Sequence, residues 1–339
     1  MYLASFDFEG RDHIGFRWRD DHVVPIPESF LPRPAGRLQC EMISLIGAPQ
    51  TLAMLAGIAA LPTLPKEFTA LSLEDIRWHP PVRKPGKIIG VAMNNSAADA
   101  RKISAPSHPM FFMKPQTSLL GHLNELEIRS YYGSVHPEPE LAVVIGRRSR
   151  DLDPHTALDA VFGYSIMNDM TGNAMRGEDM VHYYAMYASA ADSKTLERRE
   201  QHLSYAARYK GTDGFGPMGP WLVTRDEIPD PSNLDVVCQV GSDIVAADST
   251  RYLTYGVAEV LAFLSRFQTL EPGDVVSMGT AFRAKPGAQR TIHSADLQRV
   301  EGPVSVTISG LGTLRTPVRR RSMTLNEWRL PKNPQPDPV

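Results

Sequence analysis

Apolar positions along this chain recur mostly with the two-residue period of strands, and only in a few places with the 3.6-residue period of helices. The opening stretch "MYLASFDFEGRDHIGFRWRDDHVVPI" alternates in short runs broken by turn residues, which predicts strands joined by tight connections. "MISLIGAPQTLAMLAGIAAL" reads as helix interrupted at Pro49. Further strand candidates are "KIIGVAM", "ELAVVIG", "VFGYSIM", "WLVT", "DVVCQV", "DVVSMGT" and "VSVTISG". One helix is well marked: "GVAEVLAFLSRF" puts Val257, Val260, Leu261, Leu264 and Phe267 on one face. It leads into a Pro272-Gly273 turn before the next strand. The polar block from Thr171 to Tyr209, with "LERREQHLSYAARY", is expected to be helix inserted between strands. Such an insertion beside a functional region is often a lid or a partner surface.

Strands outnumber helices without regular alternation, which argues against a βαβ architecture and for an α+β, mainly β fold. The segment "RWHPPVRKPGK" (77–87) is rich in proline and basic residues and reads as a linker. The expected organisation is a smaller N-terminal α/β domain over 1–75, a main domain over 76–325, and a C-terminal tail over 326–339.

Composition narrows the function classes. A formal net charge of −2 over 339 residues offers no basic field for nucleic acid or an anionic membrane. No apolar run reaches the length of a transmembrane helix, and the start lacks the features of a secretory signal. The two cysteines, Cys40 and Cys238, make neither a metal pattern nor a disulfide framework. The expectation is a soluble cytoplasmic protein.

Candidate chemistry starts at "HPEPELAVVIGRR", where Glu138 and Glu140 flank a single proline. Residues two apart in an extended segment project to one face, so both carboxylates point into one volume and repel unless a cation sits between them. The plainer reading is a solvated edge strand that tolerates Pro139. A third carboxylate, Asp169, ends the apolar strand "VFGYSIM". Three hard oxygen ligands suit Mg²⁺ or Mn²⁺ better than zinc. In "YKGTDGFGPMGPWLVT", Lys210 stands before a glycine-rich turn, where a lysine is usually a solvated group but near a metal could neutralise a developing enolate. Gly214, Gly216 and Gly219 form a G-x-G-x-x-G, yet Pro217 and Pro220 interrupt it and a strand follows, so a dinucleotide site is rejected and the glycines read as turn residues.

From about Lys87 to Arg315 the chain resembles the fumarylacetoacetate hydrolase family. The matching pieces run in the family's order: "KIIGVAMN", "HPMFFMKPQTSLLGH", "EPELAVVIG", "VFGYSIMND", "YKGTDGFGPMGPWLVTRDEIPDP", "LEPGDVVSMGT" and "GLGTL". The resemblance implies a mixed β-roll core and a divalent cation (Mg²⁺ or Mn²⁺) held by Glu138, Glu140 and Asp169. It implies that Lys210 is the family's active lysine, that Gly279 and Thr280 bind substrate carboxylate, and that the protein is a homodimer. The departures are as informative. Ala98 and Arg101 occupy the positions aligned with the family's water-activating His-Glu pair. Asn173 replaces an arginine that often follows the aspartate, and Ala246 replaces a pocket glutamine.

These residues imply an enzyme acting on a 2-oxo acid or 1,3-dicarbonyl compound, most readily by C–C bond hydrolysis. A lyase reading (decarboxylase, hydratase or isomerase) follows closely, because decarboxylation needs no base to activate water. A non-catalytic metal-binding module is the third reading, disfavoured by the retention of all three ligands. If hydrolysis does occur, the inserted segment supplies one candidate replacement base, His182, weighed against its being an ordinary surface histidine.

Overall fold

The computed structural model describes residues 1–31, 41–288, 290–323 and 330, with Ala100 and Arg101 described by backbone alone. Cys40 and nearly all of the expected tail lie outside the described residues. The N-terminal strands are β1 (Tyr2–Phe8), β2 (Arg11–Trp18) and β3 (His22–Pro25). They are followed by helices α1 (Met42–Ile46) and α2 (Pro49–Ala59), with Pro49 in the first turn of α2, where its missing N–H costs nothing. The main strands are β4 (Ile88–Ala92), β5 (Met110–Lys114), β6 (Pro139–Ile145) and β7 (Val161–Asn168). Then come α3 (Asn173–Glu178), β8 (Val181–Ala188), β9 (Leu196–Leu203), α4 (Ala207–Gly211) and β10 (Gly216–Thr224). The chain closes with β11 (Asp235–Val240), β12 (Asp243–Ser249), α5 (Val257–Phe267), β13 (Val275–Ser277), β14 (Val304–Ile308) and β15 (Gly312–Thr316).

The fold is α+β and mainly β. A twelve-stranded mixed sheet runs in the order β3-β2-β1-β10-β7-β6-β13-β4-β5, with Leu71–Ser72 outside β3. The β13–β4 pair is parallel, while its neighbours along that path are antiparallel. Pairing of β1 with β10 (Tyr2 with Val223, Leu3 with Leu222) carries the ladder from the N-terminal strands into the central ones. A four-stranded sheet, β12-β11-β14-β15, packs into the same core. Every residue of β6 is buried, which is why it reads as a continuous apolar run and not an alternating one. That disposes of the solvated edge strand: β6 lies between β7 and β13.

Most predicted strands occur where the pattern put them, and tertiary packing revises four local readings. In α5, Val257, Val260, Leu261 and Leu264 are buried, but Phe267, the last residue of the helix, is 61% exposed. Residues 77–87 are not a loose linker: Arg77–Trp78 pairs with β1, and Trp78 and Val82 are buried. Gly216 and Gly219 lie inside β10 and not in a turn, since β10 begins immediately after Phe215; only Gly214 keeps the turn role, at φ +78°.

The largest revision concerns the inserted block, whose centre is a β-hairpin and not a helix; only Asn173–Glu178 and the residues from Ala207 are helical. Strands β8 and β9 pair in register over eight residues, from Val181 opposite Leu203 to Ala188 opposite Leu196. The aromatic-rich β8 meets the charged β9 through specific cross-strand contacts. The Arg198 guanidinium lies 3.5 Å from the Tyr184 ring centroid, and Gln201 donates to Tyr187 Oη at 2.6 Å. Cross-strand pairing thus overrides the helix propensity of "LERREQHL". Among the described residues no helix is long and apolar enough to cross a membrane.

Candidate metal centre and active site

Sheet register assembles the three predicted carboxylates. Pro139 stands opposite Asn168 in the β6–β7 pair, so Glu138 and Asp169 continue the two strands side by side, and the Asp169 N–H donates to the Glu138 carbonyl at 2.9 Å. The Asn168 side-chain carbonyl accepts from the Glu138 N–H at 2.8 Å and fixes that end of the strand. Glu140 follows on the same face as Glu138, as the spacing predicts. One oxygen from each of Glu138, Glu140 and Asp169 lies within 4.8 Å of the others.

The segment after β13 closes the other side. Ser277 Oγ donates to Glu140 Oε2 at 2.5 Å, and the Gly279 N–H donates to the same oxygen at 2.9 Å. Thr280 Oγ1 lies 2.8 Å from Glu138 Oε2 and 3.1 Å from Glu140 Oε1. Gly279 sits at φ +97°, and a Cβ there would come within 2.8 Å of Asn94 Cβ, so only glycine fits without strain. In this arrangement Gly279 and Thr280, expected at a substrate carboxylate, directly orient the two glutamates.

Two buried lysines balance the charge. Lys210, on the five-residue helix α4, reaches Glu138 Oε2 at 2.7 Å and Asp169 Oδ2 at 2.5 Å. Lys114, the last residue of β5, reaches Asp169 Oδ1 at 2.7 Å and also donates to the Lys210 carbonyl. Sequence reasoning missed Lys114. Its signal was a lysine closing the apolar strand "MFFMK", where a charge is expensive unless paired. Arg208 ties α4 to α3 through Glu178 and Asp179.

The two glutamates are driven in opposite directions. Burial disfavours the charge on Glu138, but the Lys210 ammonium and His136 outweigh it and hold its carboxyl well below the usual range. His136 Nε2 lies 3.1 Å from Glu138 Oε1, and Thr171 Oγ1 donates to the same oxygen at 2.8 Å. For Glu140, burial, reinforced by the charges of Asp169 and Glu138, outweighs the more distant Lys210 ammonium and the Ser277 hydrogen bond and pushes it up to about 8. Burial also opposes the charge on Lys210, yet Asp169, Glu138 and Glu140 together raise its pKa, so it stays an ammonium at neutral pH.

A pH dependence follows with a definite sign. In the metal-free protein Glu140 binds its proton more tightly when folded than when unfolded. That contribution to stability is present in full below the unfolded carboxyl value and is lost as pH rises through about 8. A cation entering here must displace that proton. Apparent affinity for Mn²⁺ is therefore expected to rise about tenfold per pH unit from pH 6 towards 8 and then flatten. Calorimetric titration at pH 6, 7 and 8 in buffers of different ionisation enthalpy reads both affinity and the proton released. A flat affinity across that range would contradict the assignment of Glu140 as a ligand.

Glu138, Asp169, Thr171, Lys210 and Thr280 line a cavity whose other wall includes Phe112, Arg176, Tyr209, Phe282 and His293. His182 is not part of this lining. It stands on the exposed hairpin, against Glu200 and His202.

The sequence model described as Fumarylacetoacetate (FAA) hydrolase C-terminal matches residues 87–319. The chain belongs to the fumarylacetoacetate hydrolase family. A Burkholderia multivorans protein, provisionally named a hydrolase, is 34% identical over 263 residues, covering 76% of this chain and 82% of that one. Among solved structures, the fumarylacetoacetate hydrolase of the psychrophile Exiguobacterium antarcticum is similar at a TM-score of 0.69 and 26% identity, covering 95% of this chain and 100% of that one. The maleylpyruvate hydrolase of Sphingobium sp. SYK-6, in complex with manganese(II) and pyruvate, is similar at 0.68 and 26%, covering 94% and 99%.

Family membership sharpens the departures. Ala98 lines the cavity, so the position aligned with the family's histidine faces the site but carries no base. The Arg101 side chain lies outside the described residues. Arg176 lines the cavity three residues beyond Asn173, which returns a guanidinium to this wall from the next turn of α3. Ala246 is buried in the core opposite Cys238 in β11 and is not part of the cavity lining. The carboxylates fit the divalent cation that the family implies: the donor set is all oxygen, and three carboxyl groups that repel one another lie within 4.8 Å. Glu138, Glu140 and Asp169 would hold it.

Proposed function

We propose that this chain is a divalent-metal-dependent enzyme, with Mg²⁺ or Mn²⁺, acting on a 2-oxo acid or 1,3-dicarbonyl substrate, and that C–C bond hydrolysis is its principal reaction. The observation that carries this reading is the convergence of three carboxylates within 4.8 Å of one another, two of which, Glu138 and Asp169, line one cavity together with Lys210 and Thr280. The manganese- and pyruvate-bound maleylpyruvate hydrolase, a similar fold, supports the 2-oxo acid class. A bound cation supplies Lewis-acid polarisation of the 2-oxo carbonyl. In hydrolysis, water adds to the distal carbonyl carbon, the adjoining C–C bond breaks, and its electron pair passes into the enolate of the 2-oxo fragment. Lys210, held as an ammonium, offsets that negative charge and is not itself a base. Arg176 in the cavity wall suits a second carboxylate on the substrate.

Water activation needs a base that Ala98 cannot provide. His293 is the imidazole in the cavity lining, and it packs edge-on to His136 with ring centroids 5.1 Å apart. We assign it the removal of a proton from water and its return to the enolate carbon. His293→Ala is expected to lower acylpyruvate hydrolysis by roughly 10²-fold, with His182→Ala near the parent rate. Normal hydrolysis in the His293 variant would remove this role.

The absence of a base at Ala98 also favours a second reading, a lyase that decarboxylates or isomerises a 2-oxo acid. Incubation of the Mn²⁺-loaded protein with an acylpyruvate and, separately, with oxaloacetate distinguishes the two. Hydrolysis releases pyruvate and a carboxylic acid, whereas decarboxylation releases CO₂. Turnover of neither, with metal bound, would count against both readings.

A further inference from the structure

The hairpin β8–β9 carries a second cluster of metal-ligating side chains, separate from the carboxylate centre. His182 and His202 stand directly opposite each other in the register. Glu200 is two residues before His202 and so projects from the same face. The two imidazole rings stack with centroids 4.1 Å apart and planes 9° from parallel, and the Glu200 carboxylate contacts His182 Nε2. One ligand atom from each of the three lies within 4.8 Å of the other two, and all three residues are exposed, so an ion can reach them from solvent.

We propose that His182, Glu200 and His202 bind a transition-metal dication of the zinc class. Two imidazoles and one carboxylate are the donors that zinc, cobalt and nickel favour, and an exposed site leaves the remaining position to water. Mg²⁺, which keeps oxygen ligands and dehydrates reluctantly, is a poor match, so the two centres of this protein select different ions. Arg198, two residues before Glu200 on the same strand, lies over the Tyr184 ring. The His182–His202 pair is one step from the hairpin base at Val181–Leu203. A two-stranded hairpin exposed along both strands is marginal by itself. An ion bridging its base cross-links the strand that follows α3 to the strand that leads into α4. Those helices bring Arg176 and Lys210 to the cavity.

The test uses untagged full-length protein, stripped of metal, saturated with Mg²⁺ and titrated with Zn²⁺. One Zn²⁺ per chain is expected beyond the bound Mg²⁺. Affinity should fall at least tenfold in His182→Ala and in His202→Ala, survive in Glu140→Ala, and be restored in part by His202→Asp, which returns a ligand. Zn²⁺ should also slow tryptic cleavage at Lys194, Arg198 and Arg199. No saturable Zn²⁺ binding overturns the proposal, as does affinity unchanged in both histidine variants. Binding lost in Glu140→Ala would assign the ion to the carboxylate centre and overturn it equally.

Discussion

Glu140→Ala is expected to abolish divalent-cation binding and turnover together, with Mn²⁺ affinity falling by at least two orders of magnitude. Glu140 is 2% exposed, and its oxygens are aimed by Ser277, Gly279 and Thr280. Losing it removes one of three donors and leaves those groups without their acceptor, at a cost of about 1–3 kcal/mol. That cost is offset by relief of a buried carboxyl whose charge both burial and Asp169 disfavour. The variant should therefore fold, and Glu140→Gln, which keeps an acceptor oxygen for Ser277 and Gly279 but not the charge, should fold better and bind metal no better. Calorimetry with Mn²⁺ and thermal unfolding of the metal-free proteins make the comparison. An unchanged Mn²⁺ affinity in either variant would remove Glu140 from the metal centre.

Lys210→Met is expected to lower kcat by about 10²- to 10³-fold, roughly 3–4 kcal/mol of lost stabilisation of developing charge. Metal affinity should be retained or increased. The ammonium competes for Glu138 Oε2 and Asp169 Oδ2, and Lys114 still partners Asp169 when Lys210 is gone. KM should change less than kcat, because the charge that Lys210 meets is greatest after the C–C bond breaks. Near-normal kcat with metal bound would refute the assignment. A fall in metal affinity that matches the fall in kcat would show that Lys210 serves the metal centre and not the reaction.

The inserted hairpin shows where sequence reasoning reached its limit. Residues 196–203 have helix-forming composition, yet they pair with Val181–Ala188, a partner that local propensity does not register. The same revision relocates His182. Proximity in the chain to Asp169 and Lys210 suggested a base, whereas strand pairing directs its ring to Glu200 and His202. His293 was overlooked because nothing around it in "TIHSADL" signals a site; it reaches the cavity wall only through packing of its short 3₁₀ turn near His136.

The carboxylate cluster was legible because it is written in short-range rules. A strand period of two puts Glu138 and Glu140 on one face, and an apolar strand ending in Asn168-Asp169 delivers a carboxylate to a sheet end. The ordered family motifs likewise pointed to the fold class and singled out Lys210, which the structure places against Glu138 and Asp169. Only the tertiary structure decided that β6 is interior, that Glu138 and Asp169 are adjacent, and that Lys114, Arg176 and His293 share the site. It alone set Glu138 and Glu140 at opposite protonation preferences. The physical reason is that each of these depends on which strands pair and what low-dielectric volume they enclose. Register and burial are properties of contacts between residues far apart in the chain, and no local window of sequence contains them.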